Sequence, residues 1–191
     1  MINIWCYDVE ILPNFFSITF VNLSSYTKTF KDSCNITIKK GKEKHIPIPL
    51  TEKYKVSDIK TMLDSVESKT FWISDFNDNQ LLPLIGFINS LQAKREANKN
   101  VFTHCYGYNS GAYDKLMVAC LLMYYNMFSS TKELIRKLYD TSKKIIDLQD
   151  NEEISRKDYY LDSLRKYPLP YYDVDLMKIF ATALKTPFFC L

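Results

Sequence analysis

The sequence predicts an α/β fold built on a mixed sheet. Three observations carry that expectation. Three closely spaced strand patterns open the chain. Helical and strand patterns alternate after them. And 47% of the 191 residues are hydrophobic, enough for one domain with a core of its own. The expected sheet is an antiparallel three-strand meander followed by parallel strands, flanked by helices.

Residues 2–9 (INIWCYDV) are rich in β-branched and aromatic types and read as the first strand. Pro13 lacks a ladder donor and Asn14 suits a bend, so residues 11–14 turn the chain. Residues 15–22 (FFSITFVN) form the second strand and 25–30 (SYTKTF) the third. A basic stretch with two prolines, residues 34–55, reads as a hairpin or excursion. Residues 57–68 look helical with Ser57 as cap, and residues 69–76 (KTFWISDF) are a strand candidate. Residues 78–94 form a helix that tolerates Pro83 in its first turn. Residues 101–109 (VFTHCYGYN) are a strand that leads into an apolar helix. Ser130, three residues before Glu133, marks the start of another helix by a capping box. Residues 151–158 are a polar loop. After Pro170 a strand begins, turning helical near Asp175.

Composition narrows the class. The formal charge of +3 neither demands nor excludes nucleic acid. Five scattered cysteines form no C-x-x-C pair, and no signal peptide precedes them. Free thiols in a reducing compartment are expected: the cytoplasm, or the host cytoplasm if the protein is viral. Two histidines without paired spacing make a structural zinc site improbable. The longest apolar run, LMVACLLMYYNMF, falls short of the ~20 residues a bilayer requires, so no membrane is expected.

Two short stretches carry chemistry. In "YDVE", Asp8 and Glu10 are two apart on a strand and share a face with Ile2, Ile4 and Cys6. Trp5, Tyr7 and Val9 occupy the other face. With both faces mainly apolar, the strand reads as central. Two like charges ~7 Å apart at its end repel, and partial burial would raise their pKa values. A divalent cation removes that cost, and oxygen ligands suit Mg²⁺ or Mn²⁺. The alternative is two acids just past the core, facing water. In "CYGYNSGAYDKLM", Asn109 and Asp114 flank a strand-to-helix junction. The helix dipole favours an anion at Asp114, which is also the plain structural account of that residue.

Together these stretches resemble the DEDD-type 3′–5′ exonucleases. These belong to the ribonuclease H-like superfamily that includes proofreading domains of DNA polymerases. The first motif, Asp-x-Glu on the first strand, matches Asp8 and Glu10. The second, Asn followed by an aromatic and Asp, matches Asn109, Tyr113 and Asp114 in "NSGAYD". The wording is most similar to exonuclease regions of bacteriophage replication proteins. The third motif, Tyr-x-x-x-Asp on a late helix, is spelled by Tyr171 and Asp175. Their surroundings read instead as the strand before that motif. On this comparison residues 1–191 are a single exonuclease-like domain lacking its C-terminal helix.

The resemblance implies a two-metal mechanism with Mg²⁺ or Mn²⁺ held by Asp8, Glu10 and Asp114, Asp8 bridging both ions. It implies in-line attack by an activated water on the terminal phosphodiester of a single-stranded DNA or other nucleic-acid 3′ end. Asn109, Tyr113 and Phe15 would shape the 3′-nucleotide pocket, with Phe16 and Tyr108 further candidates for stacking on bases. The implied setting is replication or DNA turnover, with a polymerase or a second chain completing the site. Residues 39–45 (KKGKEKH) could touch phosphates or form a solvated hairpin tip, and residues 94–100 read as a helix end and loop. His104, mid-strand, reads as a core or sheet-surface histidine. The competing reading is the same fold kept as a non-catalytic nucleic-acid-binding or structural part of a larger assembly.

Overall fold

The computed structural model describes residues 2–24, 37–39, 42–44, 66–96, 99–148 and 157–178. The chain is α/β with a mixed sheet. Strand β1 (Ile2–Leu12) pairs antiparallel with β2 (Phe15–Asn22) across the Pro13–Asn14 turn. Strands β3 (Thr37–Lys39) and β4 (Lys42–Lys44) form a separate antiparallel pair, as the hairpin reading of the basic stretch expected. Strand β5 (Ser68–Ser74) takes the outer edge of β2, also antiparallel. Both edges of β2 are occupied, by β1 and β5, where a third strand at residues 25–30 was expected. Those residues, the Ser57 cap and most of the helix expected after it lie outside the described residues.

Helix α1 (Leu81–Ser90) is shorter than the helix expected over 78–94, and Pro83 sits in its first turn, where no intrahelical donor is needed. The segment read as a helix end and loop is instead strand β6 (Lys94–Glu96), paired antiparallel with the start of β7 (Lys99–Gly107). Alternation of Val101, Thr103 and Cys105 toward the core makes β7 a strand from its first buried residue on. Helix α2 (Asp114–Tyr124) follows, then α3 (Thr131–Asp147), α4 (Tyr159–Lys166) and β8 (Tyr172–Asp175). The Ser130 hydroxyl accepts from the Glu133 N–H, as the cap expected, while the Glu133 carboxylate reaches back to Ser129 rather than Ser130. Helix α4 carries its own cap, Asp158, which accepts from the Leu161 N–H.

In space the strands run β5-β2-β1-β7, with β6 and β8 on the far edge of β7. β1, β7 and β8 are parallel, and β5 shares their direction because it is antiparallel to β2. Their carboxyl ends therefore gather at one end of the sheet. One face is sealed by Trp5, Tyr7, Val9, Phe16, Ile18 and Phe20 against the helices. Residues 116–122 of α2 are buried all round, between that face and helices α3 and α4. The other face carries Ile4, Cys6, His104 and Tyr106, only partly buried. His104 lies there as a sheet-surface histidine, its ring 5.3 Å from Tyr172.

Candidate active site

β1 outruns its parallel neighbour. Its register with β7 ends at Cys6 opposite Tyr106, while pairing with β2 continues to Leu12. Asp8 and Glu10 lie in this overhang, opposite Thr19 and Ser17 of β2. Both are exposed. The expected partial burial of the pair is therefore corrected: both sit on the open face, beyond the core. The strand is central, but apolar burial on both sides does not extend to its acidic end.

The buried acid is Asp114. Gly107 ends β7, and Asn109 reverses the chain with φ of 57°. Asn enters this left-handed region more readily than most residues. The Asn109 carbonyl accepts from the Ala112 and Tyr113 N–H groups, which closes the turn and starts α2 at Asp114. A side chain on Gly107 would collide with this turn: a Cβ there would stand 2.6 Å from the Ser110 Cβ and 3.4 Å from Asp114 Oδ2. Asp114 is 4% exposed and accepts from the Val9 backbone N–H in the overhang of β1. Burial raises its pKa to about 7, assisted by the charges of Asp8, Asp173 and Glu10 and opposed by the Val9 N–H. Four acids thus meet at one end of the sheet: Asp8 and Glu10 from β1, Asp114 from α2 and Asp173 from β8.

Asp173 was not singled out in the sequence. It sits opposite Cys105 of β7, on the helix-covered side. The Tyr7 hydroxyl donates to its Oδ1 at 2.5 Å and the Ser110 hydroxyl to its Oδ2 at 3.3 Å. Burial raises its pKa, while those two hydrogen bonds and Lys115 oppose the rise. A signal was available: in a strand, Tyr171, Asp173 and Asp175 share a face, so a buried Tyr171 implies an inward Asp173. Tyr171 is indeed buried, 7% exposed, with its ring edge-on to Tyr7 at 5.9 Å. Asp175 accepts from the backbone N–H groups of Gly111 and Met177, and Lys178 stands 3.8 Å away. Tyr171 directly precedes strand β8 and Asp175 ends it, so neither stands on a late helix.

The second-motif residues divide. Asn109 shapes the turn through its backbone. The Tyr113 hydroxyl is bonded to the Ser142 hydroxyl of α3 at 2.7 Å, which ties the junction to the helical layer. Of the aromatic candidates, Phe16 is fully buried in the core and unavailable to a ligand, which corrects that expectation. Phe15 shares the face of Glu10 and stacks on Trp72 with centroids 6.2 Å apart. Trp72 is 38% exposed and was missed, although strand alternation in "KTFWISDF" separates it from buried Ile73. Tyr108, 67% exposed, stands on the turn after β7.

The donors here are all carboxylate oxygens, the chemistry of a hard divalent cation. Among the described residues, no three acidic, histidine or cysteine side chains already converge to ligate one ion. Cys6, Cys105 and Cys120 are free thiols, and no described helix is long and apolar enough to cross a membrane. Compared with protein-family models, curated proteins and solved structures, the chain matches none.

Proposed function

We propose that the chain is a ribonuclease H-like 3′–5′ exonuclease domain. On this reading it shortens nucleic-acid 3′ ends with divalent metal ions, in replication or turnover of DNA and in a phage-like setting. The observation that carries it is Asp114, a buried acid whose proton is held to about pH 7 by burial and by the charges of Asp8, Asp173 and Glu10. A cluster that repels its own negative charge is relieved by a cation. Two further features support it. The strand order β5-β2-β1-β7-β8, with β2 reversed, gathers the motif acids at the carboxyl ends of parallel strands, where open α/β sheets take ligands. And the Phe15–Trp72 pair offers bases a stacking surface on the face of Glu10.

The donor set fits Mg²⁺ or Mn²⁺. Asp8 and Asp114 would hold the ions with Glu10. Bound there, the metal supplies Lewis acidity at the phosphate and a nucleophilic water at neutral pH. The chain's own residues do the rest. The Val9 N–H orients the Asp114 carboxylate, Tyr113 fixes the start of α2 against α3, and Asn109 sets the turn between strand and helix.

A second reading is a nucleic-acid-binding module of the same fold. The separation of the acids favours it, since no three converge among the described residues. Incubation of a 5′-labelled single-stranded oligonucleotide with Mn²⁺ decides between them. The exonuclease reading expects a ladder shortening from the 3′ end, lost in Asp8→Ala and with chelator. Binding without shortening, from a folded sample, supports the module.

A further inference from the structure

Beside the acids, between the start of α2, the end of α4 and β8, lies a pocket of about 430 Å³ lined by Gly111, Lys115, Arg165, Asp173, Asp175 and Lys178. We propose that this pocket binds a backbone phosphate of the nucleic-acid strand, a proposal that rests on the exonuclease reading and extends it to how the strand is held. Three elements distant in sequence each contribute one cation: Lys115 from α2, Arg165 from α4, and Lys178 from the turn after β8. Lys115 and Arg165 are half-buried, so their charges are held at the pocket wall rather than spread into solvent.

The two acids in the wall are already engaged by protein donors. Asp173 accepts from the Tyr7 and Ser110 hydroxyls, and Asp175 from the Gly111 and Met177 N–H groups. Lys178 also pairs with Asp175 at 3.8 Å, so the pocket sets three cations against two carboxylates and keeps a net positive charge. A phosphodiester brings the negative charge and the several acceptor oxygens that a guanidinium and two ammonium groups match. The position is also the one required. Lys115 directly follows Asp114 in the chain and Asp173 lines the pocket, so a phosphate there lies beside the acids of the site.

Gly111 keeps the pocket open. A Cβ there would stand 2.8 Å from the Lys178 Nζ and 2.9 Å from Asp175 Oδ2. Gly111→Ala therefore perturbs the pocket without removing a charge.

The test is fluorescence anisotropy of a labelled oligothymidylate on the full chain in EDTA, as a function of salt. Without metal no cleavage enters the readout, so failure here is separate from failure of the exonuclease reading. The double variant Lys115→Gln/Arg165→Gln is expected to bind several-fold more weakly, with the salt slope flattened by about 0.7 per lost contact. Gly111→Ala is expected to weaken binding with the slope nearly kept. Lys132→Gln/Arg136→Gln, which removes two charges from the exposed side of α3, serves as the control and is expected to change neither. The proposal is overturned if the natural chain does not bind, if the pocket variants bind like it while melting normally, or if the α3 control weakens binding equally. Thymidine monophosphate as competitor identifies the source of the phosphate. Displacement by the mononucleotide assigns the pocket to a terminal phosphate, and displacement only by longer strands assigns it to an internal diester.

Discussion

The two faces of β1 differ in what they ask of their side chains. Toward the helices, Trp5, Tyr7 and Val9 are sealed in the core. Toward the other side, Asp8 and Glu10 stand exposed on an overhang with no parallel neighbour. A strand that is wholly structural in one direction is thus open to chemistry in the other. The acids that complete the cluster, buried Asp114 and partly buried Asp173, belong to the sealed side, and burial raises the pKa of both. The exposed pair is solvated and bears no burial cost. The other two are compensated by hydrogen bonds, Asp114 from the Val9 N–H and Asp173 from the Tyr7 and Ser110 hydroxyls.

That contrast can be broken most strongly from the sealed side. Phe20 is fully buried between Tyr7 and Phe87. Phe20→Ala is expected to cost about 3–5 kcal/mol in urea unfolding. A cost near zero would mean that this face is not the core.

Asp114 gives the next largest effect, with the opposite sign. Its folded pKa of about 7 lies above its ordinary value of 3.8, so the folded chain holds this proton longer than the unfolded chain. The stability linked to that proton is complete below the ordinary value and is lost as pH rises through 7. Asp114→Asn keeps an oxygen for the Val9 N–H and cannot ionise. In metal-free buffer it is expected to be more stable than the natural chain at pH 8, by on the order of 4 kcal/mol at most. The difference should close as pH falls toward 4. Parallel melts across pH check this, and a constant difference would contradict the burial account.

Tyr7→Phe removes the donor to partly buried Asp173 and is expected to cost about 1–3 kcal/mol. The smallest effect belongs to the exposed pair. Asp8→Asn is expected to change stability by less than about 0.5 kcal/mol, because it leaves no buried group unsatisfied. A large loss there would make Asp8 structural.

What the sequence disclosed and what it concealed follow from range. The first two strands, the Ser130 cap and the apolar α2 are written in neighbouring residues, and each was legible. Asp8, Glu10 and Asp114 were legible because a charge at the edge of an apolar run is locally conspicuous. Asp173 was not, since its partner Tyr7 lies 166 positions away in the chain. The partner of β2 was misread for the same reason. Residues 25–30 follow it directly, but β5, some fifty residues on, takes its edge. Phe15 and Phe16 show the limit of alternation. The pattern says that one of them faces inward, and only the register with β1 and β5 decides that it is Phe16.

The central claim is that the acids at the carboxyl end of the sheet are held for a divalent cation. Thermal unfolding at pH 8 with and without Mn²⁺, for the natural chain, Asp8→Asn and Asp114→Asn, tests it most directly. A ligand at 100 times its Kd stabilises by about 2.7 kcal/mol, a shift of several degrees for a chain of this size. The account predicts that rise in Tm for the natural chain and a much smaller one for each variant. No rise, or the same rise in all three, would contradict it.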